Sequence, residues 1–300
     1  MFDLIIIGGG PSGLAAAMYG GRVGIKTLLI SELPGGNMNF ASWIENYPGF
    51  ESIQGSELAE KFRAHAVKYN AEFKDEKATK VERKGQNFIV AGEAGYEAKS
   101  IIFATGTTFR KLGVPGEKEF DGKGVHYCAL CDGPLYTDKV IAVVGGSNSA
   151  VKEAILLAEY GKKVYVISRS EQIKCENCNY EKASSNPKIE FIYKTNVVGI
   201  KGDKLVKSIM LDAAYKGKKE LAVDAVFIEI GRIPASELAK KLGVAVNEKG
   251  EIITDKESKT NLPGVFAAGD VTNSSAKQVI TGAAEGVKAA YSAYAYLKSK

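Results

Sequence analysis

The sequence predicts an α/β protein made of two similar parallel-sheet modules, the second inserted into the first. Three observations predict it. A strand–glycine loop–helix unit opens the chain, a second copy of that unit begins near the middle, and the residues after the second copy are too few for a third.

Leu4 to Ile7 is a short apolar run that ends in glycines, the pattern of a buried parallel strand. Gly8-Gly9-Gly10-Pro11-Ser12-Gly13 then turns into an Ala-rich helix over Leu14 to Tyr19, and Thr27 to Ile30 is the next strand. This is a βαβ opening with G-x-G-x-x-G at its turn. One glycine makes the tight turn, one lets backbone approach a pyrophosphate, and one lets helix pack on strand. The helix N-terminus then faces the phosphates.

The design recurs in Val140 to Val144, Gly145-Gly146-Ser147-Asn148-Ser149-Ala150, a helix over Val151 to Tyr160, and a strand over Lys163 to Ile167. The two modules also end alike. Ile101 to Phe103 leads into Ala104-Thr105-Gly106, and Val226 to Glu229 leads into Ile230-Gly231. Two Rossmann-like nucleotide-binding modules of similar length follow. Segments such as Phe88 to Val90 and Val206 to Met210 suggest small antiparallel sheets inside each. Both crossings, Lys111 to Gly116 and Arg232 to Ser236, contain proline. The expected division is 1–112 with 236–300 as the first domain and 113–235 as the inserted one.

Composition agrees. A chain of 300 residues is long enough for two domains, and 45% hydrophobic with 25% charged residues is ordinary for a soluble globular protein. The net charge of +5 comes from scattered lysines without a basic run, so nucleic-acid binding is not expected. Asp3 and the early glycines and Pro11 argue against a signal peptide, and no stretch reaches the ~18 apolar residues of a membrane helix. A cytoplasmic location is expected.

The four cysteines form two C-x-x-C pairs, Cys128/Cys131 and Cys175/Cys178. In a cytosolic enzyme such pairs are redox-active or metal-binding more often than structural. The first reads Cys128-Ala129-Leu130-Cys131-Asp132-Gly133. Its sulfurs can make and break a disulfide within one turn, and Asp132 can exchange a proton if its surroundings raise its pKa. The alternative is a metal site drawing on both pairs, whose separation is long for a compact zinc ribbon. Near the end, Thr260 to Asp270 holds a strand (Val265 to Ala267) closed by Gly269-Asp270, an acidic acceptor placed to bond a sugar or ribityl hydroxyl.

Over nearly its whole length the chain resembles the low-molecular-weight thioredoxin reductases, FAD-dependent pyridine nucleotide-disulfide oxidoreductases. The resemblance lies in Gly8 to Gly13, Pro34-Gly35-Gly36-Asn37, Ile44-Glu45-Asn46-Tyr47-Pro48-Gly49, Ala104-Thr105-Gly106, Gly124 to Gly133, Thr260 to Asp270, Lys277-Gln278 and Ala283-Ala284-Glu285-Gly286. It implies FAD in the first module, held by Gly8, Gly10, Pro11, Ser12, Gly13, Gly36, Asn37, Asn46, Thr105, Gly106, Gly269, Asp270, Lys277 and Gln278. It also implies a homodimer, and a small thiol protein as substrate, thioredoxin or a glutaredoxin-like protein. Cys131 would face the flavin, Cys128 would attack the partner's disulfide with Asp132 as acid, and the inserted domain would rotate between the two tasks.

The chain departs from the pattern in its second glycine loop. Ser147 stands at the close-approach position, adding bulk against a pyrophosphate. Members that use NADPH carry a His-Arg-Arg cluster after the next strand; this chain has Ser168-Arg169-Ser170, with Lys174 nearby. Gly145, Ser147, Asn148, Ser149 and Arg169 thus form a weakened NAD(P)H site. A lost bidentate arginine costs ~1.5–3 kcal/mol, about ten- to a hundredfold in affinity. Another donor, such as NADH, a reduced deazaflavin or ferredoxin, is expected. Three readings fit Cys175/Cys178: incidental thiols on a surface loop, a second redox pair, or a metal or iron–sulfur role. Ser31 ends the second strand, so Glu32 is the acidic residue assigned to the adenosine ribose. His65 reads as a solvated helix residue, and His126 as either a tuner of the thiol or plain packing. Against the reductase stand two rivals, a redox-sensing or partner-binding flavoprotein and a flavin oxidase; the intact C-x-x-C-D favours the reductase.

Overall fold

The computed structural model describes residues 1–300 except Ser42. Contacts divide the chain into two compact units, Met1–Thr108 with Ile233–Lys300, and Phe109–Arg232. In chain order the elements are β1 (Phe2–Ile7), α1 (Pro11–Arg22), β2 (Thr27–Ile30), α2 (Gly55–Lys68), β3 (Glu72–Lys74), β4 (Lys80–Lys84), β5 (Asn87–Ala91), β6 (Gly95–Phe103) and β7 (Thr107–Phe109). There follow β8 (Val125–His126), α3 (Ala129–Asp132), β9 (Val140–Val144), α4 (Asn148–Tyr160), β10 (Lys163–Ile167), α5 (Asn177–Ser184), β11 (Ile189–Ile192), β12 (Val197–Gly202), β13 (Val206–Tyr215), β14 (Lys218–Ala222) and β15 (Ala225–Ile228). The chain closes with β16 (Arg232–Pro234), α6 (Glu237–Leu242), β17 (Val265–Ala267) and α7 (Val279–Lys298).

In the first unit the sheet order is β3-β2-β1-β6-β5-β4. β6 is long enough to serve two partners besides β1: its first half pairs antiparallel with β5, and Ile101–Phe103 pairs parallel with β17. The last strand of the chain thus completes the first sheet. The apolar run of β1 is continuous because both faces are covered. Leu4 and Ile6 pack with Leu14, Ala16 and Ala17 of α1 and Ala289, Ala290 and Ala293 of α7. Ile5 and Ile7 pack on the other side with Phe88 and Val90 of β5 and Ala239 of α6. Each such fully buried side chain stabilises the fold by ~1.5–3 kcal/mol.

The second unit repeats the logic with an all-parallel sheet, β11-β10-β9-β15-β8, and a separate antiparallel sheet, β12-β13-β14. Ala142, Val144 and Ile228 face Ile200 and Ile209 of the small sheet. Ile141, Val143 and Phe227 face Ala150, Ala154 and Leu157 of α4, together with Ala129 of α3.

The unit boundaries at 108/109 and 232/233 lie a few residues ahead of the expected 112/113 and 235/236. The reason is local: β7 and β16 pair with each other, so the first crossing comes ahead of the Lys111–Gly116 loop and the second is made in β16 itself, Pro234 included.

Candidate active site

In open α/β sheets ligands gather beyond the carboxyl ends of the strands. In the first unit those ends carry Gly8–Gly13 after β1, Ser31-Glu32 after β2, Ala104–Gly106 after β6 and Gly269-Asp270 after β17.

Each glycine of the first loop has a distinct spatial reason. At Gly8 φ is +114°, and a Cβ would lie 2.2 Å from the Ala104 carbonyl oxygen. A Cβ on Gly13 would lie 1.9 Å from the Gly8 carbonyl oxygen, so α1 seats on β1 only without a side chain there. A Cβ on Gly10 meets nothing within 4 Å. Gly10 is also the N-cap of α1, where no side chain caps the helix and Pro11 takes the first turn. An open space over uncapped amides is what a diphosphate needs, so this cradle fits the FAD that the resemblance implies.

The other assigned residues surround it in differing ways. Gly35 donates its N–H to the Gly9 carbonyl (2.9 Å), which holds Gly36 against Gly10. Asn37 Nδ2 donates to Thr107, and Thr105 Oγ1 donates to the Ala235 carbonyl (2.7 Å). Ser12 is buried, and Gly269 and Gly286 pack directly on it. Gly269 donates its N–H to Glu285 Oε2 (2.7 Å). Asp270 is half-buried beside it. Lys277 turns inward: its ammonium donates to Glu251 and to the carbonyls of Asp270 and Thr272, using all three donors within the chain. Asn46 and Gln278 bond to each other at 2.9 Å. Glu32 is exposed and ion-paired to Lys77 (3.0 Å).

The second glycine loop is built differently. Ser147 caps α4 with its own hydroxyl, which accepts the Ala150 N–H. Residues 174–179 then strap it. Lys174 N–H bonds the Gly146 carbonyl (2.8 Å), Glu176 N–H bonds Asn148 Oδ1 (3.2 Å), and Asn179 Nδ2 reaches the same oxygen (2.9 Å). The first loop is open and the second is engaged by its own chain. Ser149 and Arg169 are exposed.

The redox motif follows β8. Cys128 and Cys131 form a disulfide with Cα atoms 5.4 Å apart. Cys128 is the N-cap of α3, and its sulfur accepts the Cys131 N–H (3.2 Å). Cys128 is 7% exposed, whereas Cys131 is exposed. Asp132 Oδ2 lies 3.1 Å from His126 Nδ1, and His126 Nε2 lies 2.7 Å from the Tyr136 hydroxyl. The His126 ring is buried and stacked on Phe227.

Residues 2–290 match the family described as pyridine nucleotide-disulphide oxidoreductase. The chain belongs to the pyridine nucleotide-disulphide oxidoreductase family. Among its relatives is a thioredoxin reductase of Listeria innocua, 40% identical over 99% of this chain and 94% of the relative. One of Bacillus subtilis is 38% identical over 99% and 95%. A crystal structure of Lactococcus lactis thioredoxin reductase superposes with a TM-score of 0.94 at 38% identity, covering 100% of both chains. A ferredoxin-flavin thioredoxin reductase of Clostridium acetobutylicum matches with a TM-score of 0.55 at 34% identity over 99% of this chain and 98% of that one.

Two side chains of this pyridine nucleotide-disulphide oxidoreductase join the site without any signal in the sequence. Glu153 Oε2 of α4 accepts the Ala129 N–H at 3.1 Å, and Glu229, just past β15, faces it within hydrogen-bonding range. Burial raises the pKa of both, and the Glu229 charge raises that of Glu153 further. Glu229 had read as an ordinary strand end. The two ring nitrogens of His126 contact Asp132 and Tyr136. Cys175 is half-buried, its thiol pushed up by burial, and Cys178 is exposed. Among the described residues no three His, Cys, Asp or Glu side chains are grouped to hold a metal, and no helix is long and apolar enough to cross a membrane. His65 is exposed on α2.

The carboxyl pair sets a pH dependence. Its folded pKa values stand above the unfolded ones, so the folded chain holds a proton that the unfolded chain releases. Stability from this source is present below the ordinary carboxylate range and lost as pH rises towards about 8. The loss is of the order of a few kcal/mol. Thermal melts across that range are expected to show it, with a flatter profile in Glu153→Gln; an equally steep profile in the variant refutes the assignment.

Proposed function

We propose that this chain is a thioredoxin reductase-type flavoenzyme, with residues 1–112 and 236–300 as the FAD domain and 113–235 as the inserted domain carrying the redox pair. The observation that carries the reading is a C-x-x-C disulfide at a helix N-terminus, followed at once by an Asp held by a buried His, in a chain about 40% identical to proteins named thioredoxin reductase. Bound FAD supplies reversible two-electron chemistry.

The chain's own groups do the rest. The amides of Ser12 and Gly13 at the start of α1 would take the diphosphate, with Gly8, Gly10 and Pro11 shaping the open loop around it. Gly36, Asn37, Asn46, Thr105, Gly106, Gly269, Asp270 and Gln278 orient the rest of the cofactor, and Glu32 faces the adenosine ribose. Lys277 acts by holding the 269–272 turn. At α3 the helix N-terminus favours a thiolate on Cys128. That thiolate attacks the partner's disulfide, Cys131 closes back on Cys128, and Asp132 delivers the proton to the departing thiol. Thioredoxin or a glutaredoxin-like protein is the partner, the working form is a homodimer, and the location is cytoplasmic.

The donor is one other than NADPH: the absent arginine cluster disfavours the 2′-phosphate and leaves NADH, and the strap over the second glycine loop, which opposes either pyrophosphate, favours a reduced deazaflavin or ferredoxin. Ser147 occupies the amides a pyrophosphate would use, and a nucleotide would have to displace three hydrogen bonds at residues 174–179. Stopped-flow bleaching of the flavin tests it. NADPH is expected to bind about ten- to a hundredfold more weakly than in an enzyme with the full arginine cluster, leaving the flavin yellow while a low-potential donor bleaches it. Fast, complete bleaching by micromolar NADPH defeats the donor reading and leaves the disulfide reductase standing.

A further inference from the structure

We propose that Glu153 and Glu229 are a proton-holding site of the redox motif: the pair takes up a proton as the Cys128–Cys131 disulfide is reduced and returns it as the disulfide re-forms. The inference rests on the reading of Cys128/Cys131 as a pair that cycles.

The geometry places the two carboxyls where the motif's charge changes. Ala129 is the first residue of α3, and its N–H is held by Glu153 Oε2 at 3.1 Å. The preceding residue is Cys128, whose sulfur sits on the same helix N-terminus. The other face of Glu153 meets Glu229, which is 6% exposed. Glu229 Oε1 is a buried oxygen with no hydrogen-bond donor in the structure. Two carboxylates offer each other only acceptors, so in the disulfide form one proton shared between them supplies the missing donor, and the carboxylate that stays charged is the one able to take a further proton on reduction. Burial favours that protonated state in both. The charged groups acting on the pair are the two carboxylates themselves and Arg232, one cation for two potential anions. Asp132, the residue after Cys131, is bonded by His126.

The balance follows. On reduction the S–S bond breaks and takes two electrons from the donor. One proton goes to Cys131, giving a thiol, and Cys128 remains a thiolate on the helix N-terminus. That new negative charge lies one residue from the amide that Glu153 holds, and like charges in a poorly solvated site favour neutralisation. The carboxyl pair therefore takes the second proton. When a partner's disulfide is reduced to two thiols it needs two electrons and two protons; Cys131 yields one proton, which Asp132 passes to the departing thiol, the pair yields the other, and the Cys128–Cys131 bond re-forms.

Reduction-induced infrared difference spectroscopy on the full-length flavoprotein tests this. The reductant is tris(3-hydroxypropyl)phosphine, which carries no carboxyl group and reduces disulfides without donor or partner. Wild-type protein at neutral pH is expected to gain a protonated-carboxyl C=O band that moves when glutamate is ¹³C-labelled. The band is expected to be lost in Glu153→Gln/Glu229→Gln and in Cys128→Ser/Cys131→Ser. Absence of a label-sensitive band in wild type overturns the proposal, and this measurement needs no variant to fold. A band that survives in Glu153→Gln/Glu229→Gln also overturns it. If thiol titration finds that the phosphine frees no Cys128/Cys131 thiols, the cycling pair itself fails, and the proposal with it.

Discussion

Replacing Cys128 by Ser is expected to lower reduction of a thioredoxin disulfide by about a thousandfold or more, while the flavin stays bound. A serine hydroxyl does not ionise near neutral pH and cannot form the mixed disulfide, so the whole covalent route is lost rather than slowed. Cys131→Ser is expected to behave differently. The attacking thiol remains but nothing resolves the intermediate, so the protein should accumulate as a covalent adduct with its partner, visible on a non-reducing gel. The two variants also test the assignment of roles. Cys128 sits at the helix N-terminus, which favours its thiolate, but it is 7% exposed, whereas Cys131 is open to solvent. If the adduct forms in Cys128→Ser instead, Cys131 is the attacking sulfur and the order is reversed.

The second large effect is expected at the open glycine loop. Gly10→Ala adds a methyl that meets nothing within 4 Å, at a φ of −74° that alanine adopts freely. The apoprotein should therefore melt as wild type does. The methyl nevertheless enters the space above the α1 amides, and flavin affinity is expected to fall tenfold or more, about 1.4 kcal/mol. Gly13→Ala is the contrast. Its methyl would sit 1.9 Å from the Gly8 carbonyl oxygen, so backbone must move. A loss of ~1–3 kcal/mol of stability is expected along with the flavin. Equal flavin content in Gly10→Ala and wild type, measured by absorbance after gel filtration, would place the diphosphate elsewhere.

The contrast between these glycines is legible in the G-x-G-x-x-G spacing, which assigns one glycine to close approach of a ligand and another to close packing of helix on strand. Strands with both faces buried were equally legible: Leu4 to Ile7 and Val140 to Val144 are apolar at every position. Residues whose meaning depends on distant partners were not. Glu229 ends a strand and Glu153 lies inside a helix; only the fold brings them to the amide of Ala129. The strap at 174–179 was visible as a departure from the family pattern, but not that it bonds back to Gly146 and Asn148. His126 lies two residues before Cys128, but that its ring would bond Asp132 and Tyr136 depends on the turn into α3 and is not visible in the spacing.

The closing strand β17 carries a consequence for biosynthesis. Gly269 and Glu285, which pack and bond around Ser12 on α1, emerge from the ribosome only after the entire inserted unit has been made. At about 5–20 residues per second this leaves the N-terminal half of the cradle waiting for tens of seconds. The nascent chain therefore folds its middle before its ends meet, and loading of the flavin belongs to the last moments of synthesis or after release.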